Sequence, residues 1–192
     1  MRKARKSLIE IQSSRNEARV GRDGEPILLL DQHRRRWDRL LINRGLSSLE
    51  RAYQLAPEPG PYTLQAAIAA CHARAFRAED TDWAQMVALY EQLASIMPSP
   101  IVELNRAVAL SISAGPADAL DLVEQLRDLQ LLDRYHLFHS VRGDLLSQLD
   151  RHTEARDEFE LAASLARNEQ ERRISRDRAD AMARRARARY GS

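Results

Sequence analysis

Three polar side chains interrupt an otherwise small and apolar stretch, GPYTLQAAIAACHA at residues 60–73: Tyr62, Gln65 and His72. At about 100° per residue, positions 62, 65, 69 and 72 fall on one narrow stripe of a helix, so a phenol, an amide and an imidazole share a face. Similar interruptions follow: Asp82 and Trp83, then Tyr90, then Asn105 and Arg106 inside IVELNRAVAL, then His136, His139 and Arg142 inside YHLFHSVRG. Asn, Arg and His lining a groove can clamp a peptide backbone or a carboxylate. The same groups can instead bond to one another between helices and fix their register. Both readings stand, and either makes these residues a polar seam repeated along the chain.

Other chemistries find less support. His136 and His139 are spaced i, i+3, but no HExxH and no clustered Cys/His spacing supplies further metal ligands. Cys71 and His72 are adjacent, so a helix points them about 100° apart and they cannot act on each other as nucleophile and base. There is no glycine-rich phosphate loop and no G-x-S-x-G elbow. The expectation is a binding protein, with no catalytic residue, no metal and no cofactor.

The elements that must position these residues follow from composition. Aromatics are 5% and apolar residues 44% of 192, with Ala, Leu, Arg, Glu and Asp abundant, which favours helix over sheet. No run of 18 apolar residues could cross a membrane, and the basic N-terminus lacks the apolar core of a signal peptide. The single cysteine excludes an internal disulfide and suits a reducing cytoplasm. The net charge of +2 conceals an asymmetry: residues 1–36 hold 10 Lys/Arg against 5 acids, residues 37–166 hold 11 against 19, and residues 167–192 hold 9 against 4. Solvated helix faces explain this, as would ends that touch something acidic.

Breakers divide the chain. A short helix is expected over 5–19 with Leu8 and Ile11 on one side, ended by GRDGEP (21–26). ILLL (27–30) reads as a brief extended piece packed on the domain, and Asp31 as the cap of a helix carrying Trp37, Leu40, Leu41 and Ile42, interrupted near Gly45. Pro61, the PSP at 98–100 and the GP at 115–116 open three helices. Asp80 or Thr81, Asp133 and Asn168 are candidate caps for three more, and His152-Thr153 precede another. The last helix has few apolar positions and should fray at its end. The expected organisation is an N-terminal helix and connector (1–30), a helical repeat domain (31–166) and a basic C-terminal helix (167–192).

A repeat emerges from the spacing. Gly143 sits where a helix must approach its partner closely, and Ala155, Phe159 and Ala162 follow as small, large, small at i, i+4, i+7. That is the tetratricopeptide pattern. Tyr90, Leu93 and Pro98 repeat it, as do Leu49, Ala52 and Pro57, and Ala119 with Val123 makes a looser copy. Steps of about 33 to 41 residues separate the copies. The expected fold is all-α: tetratricopeptide-like helical hairpins stacked as a short right-handed superhelix, an α-solenoid.

The blocks DQHRRRWD, GPYTLQAAIAACHA, DTDWAQMVALYEQL, SPIVELNRAVAL, YHLFHSVRGDLL and NEQERR, in this order, resemble the tetratricopeptide-like C-terminal extension of one group of extracytoplasmic-function RNA polymerase sigma factors. The likeness covers roughly residues 8–175. It departs at His33, where the group typically has an acid, and at Gly143, where it usually has Ala. The sigma domains that contact the −10 and −35 promoter elements are not in this chain, which would then be a fragment, a truncated gene product or a stand-alone relative. The resemblance implies a cytoplasmic regulatory module that binds protein segments: the sigma core domains, RNA polymerase or another regulator. Nucleic acid would be contacted only through the missing domains. Two other readings stay open, a free-standing helical adaptor and a small-molecule sensor with a pocket walled by His72, Trp83 and Tyr90.

Overall fold

The computed structural model describes residues 2–21, 24, 27–56, 58–128 and 132–190. Among them regular structure is entirely helical, with no β-strand. Two compact units form, Met1–Pro98 and Ser99–Ser192. The first holds α1 (Arg2–Ser13), α2 (Arg39–Leu55), α3 (Pro61–Arg74) and α4 (Trp83–Ile96). Here α1 packs on α2 and α3, and α3 packs on α4. The second holds α5 (Pro100–Ser113), α6 (Pro116–Asp128), α7 (His136–Gln148), α8 (His152–Leu165) and α9 (Glu169–Tyr190), each packed on the next.

Local chemistry explains most helix boundaries. Proline opens α3, α5 and α6, where a missing N–H costs no hydrogen bond. Asn168 Oδ1 accepts from the Glu171 N–H and caps α9. Three caps differ from the expected ones: Asp133 does not cap α7, which Tyr135 precedes with no side-chain cap bond. Asp38, not Asp31, caps α2, accepting from the N–H groups of Leu40 and Leu41. Asp82 caps α4, while Thr81 is buried and accepts from Arg34. The first helix ends at Ser13, short of residue 19, because the Ser14 hydroxyl donates to the Ile11 carbonyl and the chain tightens into a 3-10 turn at Asn16–Ala18. Of the GRDGEP break, Arg22, Asp23, Glu25 and Pro26 lie outside the described residues, as does Pro57 of the repeat copy at 49–57.

The ILLL segment packs down on one side only: Ile27 and Leu29 are half-buried and the Ile27 N–H donates to the Arg19 carbonyl at 2.8 Å, while Leu28 and Leu30 are exposed. Its neighbours are anchored more firmly. Trp37 is buried, and Arg34, 4% exposed, donates to the carbonyls of His72 (2.6 Å) and Ala75 (3.2 Å) and to Thr81 Oγ1 (3.0 Å). The guanidinium therefore satisfies orphan carbonyls at the negative end of α3. It also lies over the Trp37 ring, 5.1 Å from its centroid.

Two glycines set close helix approaches. Gly45 does not interrupt α2, which runs through it. Instead α1 crosses there: the Ser7 hydroxyl donates to the Gly45 carbonyl at 2.7 Å, and a Cβ at 45 would lie 2.6 Å from Ile11 Cγ1. In the second unit Gly143 of α7 faces α8, and Phe138, Leu145, Leu146, Ala155 and Phe159 are all nearly inaccessible. Leu49, Ala52 and Ala162 are buried too. Along α9, Ser175, Ala179 and Met182 are buried at i, i+4, i+7, and the helix continues to Tyr190.

Candidate functional site

The polar residues of the second unit converge. His139, on α7, is buried, with Nδ1 2.8 Å from Glu158 Oε2 on α8 and Nε2 2.9 Å from the Asp133 carbonyl oxygen. A carbonyl can only accept, so Nε2 carries a proton, and a carboxylate facing Nδ1 makes the imidazolium the form that satisfies both contacts. One turn along α7, Arg142 donates to Glu124 of α6 (2.9 Å) and to the other oxygen of Glu158. Burial alone would pull His139 downward in pKa, but its bonds to Glu158 and Asp133 outweigh this and hold it above the ordinary value. Burial would likewise raise Glu158, but His139 and Arg142 hold its carboxyl below the usual range. The arrangement ties α6, α7 and α8 together, and its donors are already engaged. Glu124 and Glu158, which complete it, look like ordinary surface acids in sequence; only their position opposite α7 distinguishes them.

The remaining positions of this unit are not part of that network. His136 is buried, with Nε2 3.5 Å from Glu171 but without hydrogen-bond geometry. Arg106 is half-buried and held by Glu103 one turn back (2.7 Å). Asn105 is exposed, as are Ile101 and Ile112, and these three lie on one stripe of α5 at i, i+4 and i+11.

In the first unit the stripe on α3 grades from solvent to interior: Tyr62 is 40% exposed, Gln65 half-buried and His72 8% exposed. His72 meets the edge of Trp83, ring centroids 5.3 Å apart, and its Nδ1 is buried without a partner. Burial, with the nearby charges of Arg34 and Arg15, pushes its pKa down to about 4, so the ring is neutral at pH 7. Asp82 is spent as a cap. Tyr90 is half-buried, and burial pushes its phenol up to about 12. Burial also pushes the Cys71 thiol up to about 11, so it stays protonated at neutral pH and is a poor nucleophile. Among the described residues no three His, Cys, Asp or Glu side chains are placed to hold a metal ion, and no helix is long and apolar enough to cross a membrane.

Comparison with known proteins adds two findings. Residues 3–53 match a family of unknown function, DUF6596. The chain is 45% identical over 177 residues, 92% of its length, to an uncharacterized protein of Rhizobium meliloti, of which it spans 41%. No solved structure matches it.

Proposed function

We propose that this chain is a protein-interaction module of the kind that extends an extracytoplasmic-function sigma factor, and that it modulates transcription initiation by binding a protein segment rather than by catalysis. In this reading the helical hairpins are tetratricopeptide-like repeats of a short solenoid, and the module works in the cytoplasm. Its partner is the sigma core domains, RNA polymerase or a regulator acting on them.

The exposed stripe on α5 carries the proposal. Ile101 is 47% and Ile112 46% exposed, with Asn105 between them on the same face. Two apolar anchors flanking an amide suit a helix or extended peptide, the anchors giving affinity and the amide registering a backbone. This stripe belongs to SPIVELNRAVAL, one of the blocks on which the sigma resemblance rests. A relative of which more than half lies outside the match leaves room for further domains in such proteins.

Calorimetric titration with separately expressed sigma domains of the resembling group, at two salt concentrations, tests the proposal. Saturable binding that is lost in Ile101→Glu/Ile112→Glu, with the helical circular dichroism unchanged, is the expected result. No binding at either salt rules out the sigma partner and favours a free-standing adaptor.

A further inference from the structure

The first unit contains a cavity that none of the residues discussed for the seam explains, apart from Tyr62 at its edge. It has a volume of about 600 Å³, and its apolar surface comes from Ala4 of α1, Ala52 and Leu55 of α2, Ala56, and Pro61 of α3. That is the size and character of a small-molecule site. Leu55 is 74% exposed although it lines the cavity, so a large aliphatic side chain there has no protein cover.

The polar groups around this floor favour negative charge. Arg2 and Lys3 stand at one side. They belong to a first turn of α1 that has no acidic residue, and Arg5 and Lys6 follow. Lys6 is paired with Glu10 (3.8 Å), but Arg2 and Lys3 at the cavity sit at the positive end of the helix dipole, an unfavourable arrangement that an anion would relieve. The N-terminus of α3 reaches the same cavity at Gly60, Pro61 and Tyr62, also without an acidic residue in its first turn and without a side-chain cap. Thr63 is the second, independent pointer to a ligand. It lines the cavity, is only 6% exposed, and its hydroxyl makes no hydrogen bond. With no protein group to satisfy it, this hydroxyl can donate to whatever enters the cavity. Among the described residues Glu58 is the one carboxylate on the lining, and it disfavours ligands with more than one negative charge.

From the cavity, the cations and the unpartnered hydroxyl, we infer that this site binds an apolar monocarboxylate: an acyl or aryl body over Ala4, Ala52 and Leu55, with its carboxylate against Thr63 Oγ, the first turn of α3, Arg2 and Lys3. The inference does not depend on the sigma reading, since it concerns a ligand of the first unit alone.

Titration of the full chain with decanoate, and with decanol as its uncharged counterpart, tests it. Decanoate should bind saturably at one per chain, decanol at least tenfold more weakly, and added salt should weaken decanoate only. Thr63→Val should melt no lower than the parent, because its hydroxyl has no bond to lose, yet weaken decanoate by about tenfold, the worth of a hydrogen bond to a charged group. Arg2→Glu/Lys3→Glu and Leu55→Glu change exposed positions, so they too should keep the fold while reducing affinity at least tenfold. Equal affinity for decanoate and decanol, indifference to these substitutions, or no saturable decanoate binding would each overturn the site.

Discussion

Gly143 packs directly against the ring of Phe159: a Cβ placed on residue 143 would lie 2.8 Å from Phe159 Cε1 and 3.0 Å from Cδ1 and Cζ. Phe159 is 1% exposed, between Ala155 and Ala162 at 0% each, so the ring has nowhere to retreat. The glycine is there for space rather than for backbone freedom, since it sits within α7.

Gly143→Leu should therefore destabilise the protein by about 3 kcal/mol or more, at or above the usual range for overpacking. Gly143→Ala should cost less, because helix propensity returns about 1 kcal/mol. Urea unfolding measures both. A Phe159→Leu background should recover part of the loss in Gly143→Ala, and unchanged stability in Gly143→Leu would refute the packing assigned to α7 and α8.

The crossing of α1 over α2 makes the same kind of prediction with a stiffer neighbour. At Gly45 the obstacles are Ile11 Cγ1 at 2.6 Å and backbone atoms of Ile11 and Ser7 at 3.3 Å. Because backbone cannot rotate away, Gly45→Ala should cost roughly 2–3 kcal/mol, and hydrogen exchange should rise in α1 before it rises in α4. Uniform exchange across both helices would contradict this.

Arg34→Met leaves the carbonyls of His72 and Ala75 without their buried donor. A loss on the order of 2–3 kcal/mol is expected. Arg34→Lys should recover only part of it, since an ammonium cannot reproduce the fork that spans two carbonyls and Thr81. Removing the cation should also raise the His72 pKa, because Arg34 is among the charges that depress it. NMR titration of the His72 ring reads this directly.

The two buried histidines give opposite pH dependences. His72 has a folded pKa of about 4 against an ordinary 6.5. The unfolded chain binds the extra proton first, so the first unit should lose stability as pH falls from 6.5 towards 4, by at most roughly 3 kcal/mol. His139 is held above its ordinary value. Its contribution is complete below the unfolded pKa and is lost as pH rises through the folded one, so the second unit should weaken on the alkaline side. His72→Phe should flatten the acid limb, and Glu158→Gln the alkaline one. Chemical denaturation monitored unit by unit between pH 4 and 9 would show these limbs exchanged, or absent, if the assignments were wrong.

Helix content was legible in the sequence because it depends on local terms: alanine and leucine abundance, prolines at three helix starts, and Asn168 placed to cap α9. The polar interruptions were legible as interruptions, but not their fates. Asp82 became a cap, Asn105 stayed exposed, and His139 and Arg142 became a buried ionic network, although all four look alike as breaks in apolar helices. What separates them is which residue of another helix stands opposite, and Glu158 and Glu124 lie 16 and 18 residues or more from their partners. The choice of Asp38 over Asp31 as the cap of α2 had a similar origin: Arg34 and Trp37 are drawn into the first unit, which delays the helix until both are seated. The sequence by itself determined an all-helical chain with its punctuation and its supply of polar groups. Only the tertiary structure decided which of those groups are neutralised, which stay free, and where a cationic apolar cavity remains, because burial and pairing are properties of residues that meet in space rather than in sequence.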